Sequence, residues 1–334
     1  MLTPRTLPSP MAAEQGIAAG DRTAAVVAAI ADNVGRVIQG KDEVVVLALE
    51  CLLAEGHLLV EDVPGVGKTT LAKALATSID ASYGRLQFTP DLLPADVVGV
   101  SVWNRGAERF EFRAGPVFTN VLVADEINRA SPKTQAALLE AMGEGQVTVD
   151  NHTYQLEAPF LVMATQNPVE HEGTYPLPES QLDRFLMRIS MGYPDKGAEL
   201  QMLDTHGDHD AVADLRAVVT AADVVAAQAA VRTVHVATSL KAYLVDVADA
   251  TRHHPRLALP MSPRSTLALL RASRARAAAA GRTYVVPDDF KALAEPVLAH
   301  RLLVTPEAQL AGFGPAEALA EAIRSVPVPT GRTR

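Results

Sequence analysis

Cysteine, aromatic residues and positive charge are all scarce in this chain. Cys51 is the only cysteine among 334 residues, so neither a disulfide framework nor a cysteine-ligated zinc cluster can be built. It stands in the apolar run Val44 to Leu53 and is expected as a buried small hydrophobe. Aromatics supply 4% of the residues, and none is interleaved with the basic cluster Arg271, Arg274, Arg276 and Arg282. That cluster therefore reads as a solvated helix face or a subunit contact rather than a nucleic-acid surface. The net charge of −9 argues against general attraction to nucleic acid or to an anionic membrane, though it leaves a local basic groove open. No apolar stretch approaches the ~18 residues of a membrane span. Residues 1–20 hold prolines and polar groups in place of the apolar core of a signal peptide. A cytoplasmic location without membrane insertion is the default expectation.

With 48% apolar and 21% charged residues, the chain is globular and long enough for two domains. Residues 1–20 read as a flexible tail, and so do residues 327–334, where prolines and a glycine suit neither helix nor strand. From 21 to 195 strand and helix signals alternate. Strands are expected at His57 to Glu61, Gly84 to Phe88, Asn120 to Asp125, Phe160 to Thr165 and Phe185 to Met191, with helices at Thr69 to Ile79 and Pro132 to Met142. Such alternation argues an α/β domain whose parallel sheet is flanked by helices. Two hairpins interrupt it, one around Asn104-Arg105-Gly106 and one around Asp150-Asn151-His152. Beyond residue 195 the pattern becomes alanine-rich and helical, giving a smaller all-helical domain over 196–326. Its helices are expected at Leu215 to Val231, Ala237 to Thr251, Arg264 to Ala280 and Asp288 to Arg301.

The most informative segment is Glu61-Asp62-Val63-Pro64-Gly65-Val66-Gly67-Lys68-Thr69-Thr70, which lies between an apolar strand and a helix. A loop of small residues lets backbone N–H groups curl around phosphate oxygens, and the following helix adds its positive end. Lys68 would reach the β- and γ-phosphates, and the Thr69 hydroxyl would complete a Mg²⁺ site. Asp62 stands where the strict pattern G-x-x-x-x-G-K-[ST] has its first glycine. Downstream, Val121-Leu122-Val123-Ala124 ends in Asp125-Glu126. A buried strand delivers Asp125 to the sheet edge, where it can hold Mg²⁺ through water, with Glu126 polarising the attacking water. The strand beginning at Phe160 ends at Asn167, which in a parallel sheet would emerge near the γ-phosphate. Arg184 and Arg264 offer the positive charge that cleavage of a triphosphate needs. Gln87 ends the second strand near the same place and could hold Glu126 until a client binds. His171, between Glu170 and Glu172, lacks ligand-spaced partners for a metal.

Taken together, these strings resemble the AAA+ ATPases and, within them, the MoxR type, from about Val37 to Pro306. Besides the segments above, the resemblance rests on Gln87-Phe88-Thr89-Pro90-Asp91-Leu92-Leu93-Pro94, Ala124-Asp125-Glu126-Ile127-Asn128-Arg129-Ala130, Gly173-Thr174-Tyr175-Pro176-Leu177-Pro178-Glu179 and Leu182-Asp183-Arg184-Phe185. It implies Walker A at Lys68 and Thr69, Walker B at Asp125 and Glu126, sensor 1 at Asn167 and the lid's sensor 2 at Arg264. It also implies an arginine finger at Arg184 that reaches the neighbouring subunit's nucleotide, which requires a homo-oligomer, a hexameric ring in such proteins. Val37, Ile38 and Gly40 resemble the segment flanking adenine. The implied activity is hydrolysis of ATP, with Mg²⁺, to remodel, mature or activate protein clients, including metal or cofactor insertion. A partner carrying a von Willebrand factor A domain is common in the family. The alternatives are a DNA-acting AAA+ motor, a magnesium-chelatase-type subunit and a non-hydrolysing scaffold.

Overall fold

The computed structural model describes residues 10–63, 65–167, 173–200 and 211–329. Two helices, α1 (Pro10–Gly35) and α2 (Asp42–Leu53), precede strand β1 (Leu58–Glu61) and helix α3 (Lys68–Ser78). After β2 (Tyr83–Gln87) come α4 (Pro94–Val98) and the hairpin β3 (Gly99–Asn104) with β4 (Arg109–Ala114). Then follow β5 (Val121–Asp125), α5 (Pro132–Glu144) and the hairpin β6 (Gln146–Val149) with β7 (His152–Gln155). β8 (Leu161–Gln166), the short α6 (Glu179–Leu182) and β9 (Met187–Ile189) complete the α/β part. Five strands form one parallel sheet in the order β2-β5-β8-β1-β9. Their C-terminal ends share one edge, so the loops after β1, β5 and β8 meet there.

Alternation along each strand divides the core in two. Leu58, Val60, Val121, Val123, Leu161 and Met163 face α1, α2 and α3, while Leu59, Leu122, Ala124, Val162 and Ala164 face α5 and the hairpins. Burial on both faces is why these strands read as continuous apolar runs. Cys51 is fully buried in the first of these cores. His57, just before β1, ties three elements together. Its Nδ1 accepts from the Val162 N–H at 3.0 Å and its Nε2 donates to the Met142 carbonyl at 3.1 Å, as a neutral imidazole.

The α1 helix starts within the stretch expected as a tail, so residues 10–20 are helical. Pro10 suits a first helical turn and Met11-Ala12-Ala13-Glu14-Gln15 are good helix formers. The remaining tail positions, 1–9 and 330–334, lie outside the described residues.

The second part holds the helices Ala221–Thr233, Thr238–Arg252, Pro263–Ala279, Pro287–Leu298 and Pro315–Ser325. Its helices share the first core with α1 and α2, and Pro287–Leu298 covers the β9 edge of the sheet. Polar bonds reinforce the seam: Gln228 Nε2 donates to the Leu52 carbonyl at 2.8 Å, and Arg276 pairs with the buried Glu50 at 3.2 Å. Burial pushes the Glu50 carboxyl up to about 7, against the lowering effect of Arg276. Arg282 pairs with the buried Asp289 at 2.6 Å. Arg276 and Arg282 therefore do not belong to the solvated face expected of the basic cluster; they neutralise carboxylates that burial would otherwise strand.

Candidate functional site

A cleft of about 670 Å³ opens at the shared strand edge. Lys68 and Thr69 enter it because α3 begins directly after Gly67, whose φ of +92° and that of Gly65, +85°, are left-handed conformations that glycine adopts without strain. The Lys68 Nζ donates to the Asp62 carbonyl at 2.9 Å. Burial lowers its pKa from the ordinary lysine value, while Asp62, Asp125 and Glu126 oppose that shift. Asp125 ends β5 and Glu126 follows it in a left-handed conformation, φ +56°, with its N–H donating to Thr165 Oγ1 at 2.9 Å. Asn167 leaves β8 and lines the same cleft.

The cleft lining combines a charged and polar set with an apolar set. Lys68, Thr69, Asp125 and Glu126 mark the first, and Val37, Ile38, Val66, Met191, Tyr193 and Pro194 supply the second. Gly65, Gly67 and Thr70 also border the space, whereas Gly40 is not among its lining residues. Pro64 lies outside the described residues, as does His171 with its neighbouring acids. The donor set fits a hard divalent ion, since a hydroxyl and a carboxylate are oxygen ligands of the kind Mg²⁺ takes.

Arg184 and Arg264 do not line the cleft. Arg184 is exposed, and its Nη1 donates to the Leu139 carbonyl of α5 at 2.8 Å. Arg264, with 71% of its side chain exposed, pairs at 3.3 Å with Asp183. Asp183 is also held by Arg301. Arg264 was expected at the nucleotide as a lid residue. In the absence of nucleotide it stands beside the residue preceding Arg184, on a helix that packs on α1 and α2.

The family profile described as ATPase family associated with various cellular activities (AAA) matches residues 57–187, and the AAA lid domain profile matches residues 249–323. YeaC of Bacillus subtilis (strain 168), an uncharacterised protein, is 50% identical over 90% of this chain and 94% of its own length. A protein named chaperone MoxR1, from Mycobacterium tuberculosis, is 40% identical over 89% of this chain and 81% of its own. The chain belongs to the MoxR family of AAA+ ATPases. A candidate ATPase from Cytophaga hutchinsonii, known from its crystal structure, superposes with a TM-score of 0.89 at 36% identity, covering 96% of this chain and 100% of that one. No helix among the described residues is long and apolar enough to cross a membrane.

Several residues of the MoxR-family cleft escaped the sequence reading. Arg85 Nε donates to Asp125 Oδ2 at 2.7 Å, while Thr165 Oγ1 donates to Asp125 Oδ1 at 3.3 Å, so both carboxylate oxygens are engaged. Arg129 pairs with Glu126 at 3.0 Å. Gln87 lines the cleft, but the Glu126 carboxylate is held by Arg129. The period of two along a strand puts Arg85 on the same face as Gln87, and that signal was available.

Arg85 would compete with a divalent cation for the Asp125 carboxylate. Arg85→Met is expected to lower the Mg²⁺ concentration that half-saturates binding of a fluorescent ATP analogue by about three- to tenfold, a charge-assisted contact discounted for solvent exposure. Binding of the analogue in EDTA should stay unchanged. An unaltered Mg²⁺ requirement would refute the competition.

Proposed function

We propose that this chain hydrolyses ATP with Mg²⁺ and spends the cycle on remodelling or maturing protein clients, as a ring of identical subunits. The observation carrying this reading is the convergence of Lys68, Thr69, Asp125, Glu126 and Asn167 on one cleft that apolar side chains also line, while Arg184 lies outside it. A planar base suits the apolar set that includes Val37 and Ile38; a triphosphate suits the glycine loop and the start of α3. Thr69 and Asp125 would hold Mg²⁺, whose bound charge offsets that of the β- and γ-oxygens. Lys68 binds phosphate oxygens directly. Glu126, released by Arg129, orients a water and takes its proton, and Asn167 helps fix the terminal phosphate.

The family resemblance supports a role for Arg184, which lies outside its own cleft, at the nucleotide of a neighbouring subunit. Arg264 pairs with Asp183, the residue before Arg184, and a subunit contact at this segment would bring Arg184 to the adjoining nucleotide. A hexamer is the ring we infer from family resemblance. The relative named chaperone MoxR1 supports a protein client. A von Willebrand factor A domain protein encoded nearby would support the expected partner.

A phosphate-release assay with Mg²⁺ and ATP tests the proposal. Turnover per chain should rise with protein concentration as rings assemble, and added DNA should not stimulate it. No release at self-associating concentrations would contradict hydrolysis, and strong DNA stimulation would favour the DNA-motor alternative.

A further inference from the structure

Asp62, which occupies the position of the first glycine in the strict phosphate-loop pattern, is more than a tolerated departure. Only 8% of the residue is exposed, and its carboxylate collects donors from two parts of the chain. Oδ1 accepts from its neighbour, the Val63 N–H, at 2.9 Å. Oδ2 accepts from the Ser190 hydroxyl at 3.0 Å and from the Gly192 N–H at 2.6 Å. Gly192 has a φ of +59°, a left-handed turn that suits glycine. Burial acts to raise the pKa of Asp62, but the bonds from Gly192, Ser190, Val63 and Met191 outweigh it and hold the carboxyl below its ordinary value.

The two sides of this clasp carry different parts of the cleft lining. Asp62 begins the loop leading to Lys68, and its own carbonyl accepts from Lys68 Nζ. Ser190 and Gly192 flank Met191 and precede Tyr193 and Pro194, which supply the apolar wall. Lys41 Nζ steadies the same wall by donating to the Tyr193 carbonyl at 2.7 Å. We propose that Asp62 is a positioning residue, fastening the apolar wall at 190–194 to the phosphate loop and so setting the distance between the base and triphosphate ends of the bound nucleotide. The inference rests on the nucleotide reading of the cleft. A glycine at 62 would leave the wall's donors without their carboxylate and the wall free to drift from the loop.

The direct test writes in the glycine that the strict pattern asks for. Asp62→Gly is compared with Asp62→Asn, which keeps one acceptor oxygen, and with Ser190→Ala, which removes one donor and is the mildest change to folding. Equilibrium affinities for ATP and for inorganic tripolyphosphate, each with magnesium, are the first readout. Asp62→Gly should weaken ATP about tenfold or more and tripolyphosphate less than about twofold, because only ATP uses both sets of lining residues. Asp62→Asn and Ser190→Ala should fall between wild type and Asp62→Gly. Equal losses for the two ligands, or no loss for ATP, would overturn the proposal. Hydrogen exchange of residues 190–194 without any ligand is the second readout: it should quicken in Asp62→Gly and Ser190→Ala. Unchanged exchange would refute the clasp itself. A wild-type chain that binds neither ligand would instead sink the nucleotide reading, and the exchange result keeps the two failures apart.

Discussion

Glu126→Gln is expected to bind ATP with wild-type affinity and to lose about 10²- to 10⁴-fold in turnover, the range for removing a general base. The structure explains why binding should survive. Glu126 is held from its backbone by Thr165 and from its carboxylate by Arg129, and it shares the cleft with Lys68 without bonding to it. Glutamine has the same shape and keeps an oxygen for Arg129, so the loop after β5 should hold its conformation. What it cannot do is accept a proton from water. Because that role is exercised only as the terminal phosphate leaves, the loss should fall on kcat with KM little changed. Turnover within about twofold of wild type would remove Glu126 from the chemistry and leave water activation without an agent.

Arg184→Ala should be nearly as damaging in a homogeneous preparation, with a loss of about 10³-fold, the lower end for an arginine supplied by a neighbour. The substitution is mild for the fold, since the side chain is exposed and its Nη1 donates to a backbone carbonyl, that of Leu139. Mixing supplies the decisive contrast. A subunit carrying Arg184→Ala keeps Glu126, and one carrying Glu126→Gln keeps Arg184. Where the two adjoin in the right order, an intact site is rebuilt from two defective chains. Random one-to-one rings should contain roughly a quarter of such contacts and recover a corresponding share of turnover. If the mixture is no more active than its components, Arg184 does not act across a subunit contact.

Much of this was legible along the chain, for local reasons. The strand, glycine loop and helix at 58–78 announce themselves because an apolar run, left-handed glycines and a helix start must occur in that order. β5 and β8 are readable because strands buried on both faces admit almost nothing polar until their last residues, Asp125 in one and Thr165-Gln166 in the other. The second hairpin is readable because Asp150 and Asn151, with φ of +49° and +64°, are residue types that tolerate the left-handed turn. In the first, Asn104 Oδ1 accepts from the Gly106 and Ala107 N–H groups to form the turn.

What stayed hidden depends on contacts between distant segments. Ser262 and Pro263 mark the start of a helix, and the Ser262 hydroxyl does accept from the Ser265 N–H at 3.1 Å. Nothing in that stretch says that the helix will pack on α1 and α2 and leave Arg264 with Asp183. Arg276 and Arg282 read as surface charges because their carboxylate partners, Glu50 and Asp289, are recognisable only once the helices meet. Arg85 is hidden for the same reason: its partner Asp125 is 40 positions away on the neighbouring strand.

The account depends on a triphosphate occupying the cleft through Lys68, and equilibrium binding tests that most directly. At concentrations where the chain self-associates, ATP with magnesium should bind saturably to the wild type, and Lys68→Ala should abolish or severely weaken that binding. Absence of affinity in the wild type, or equal affinity in both proteins, would contradict it.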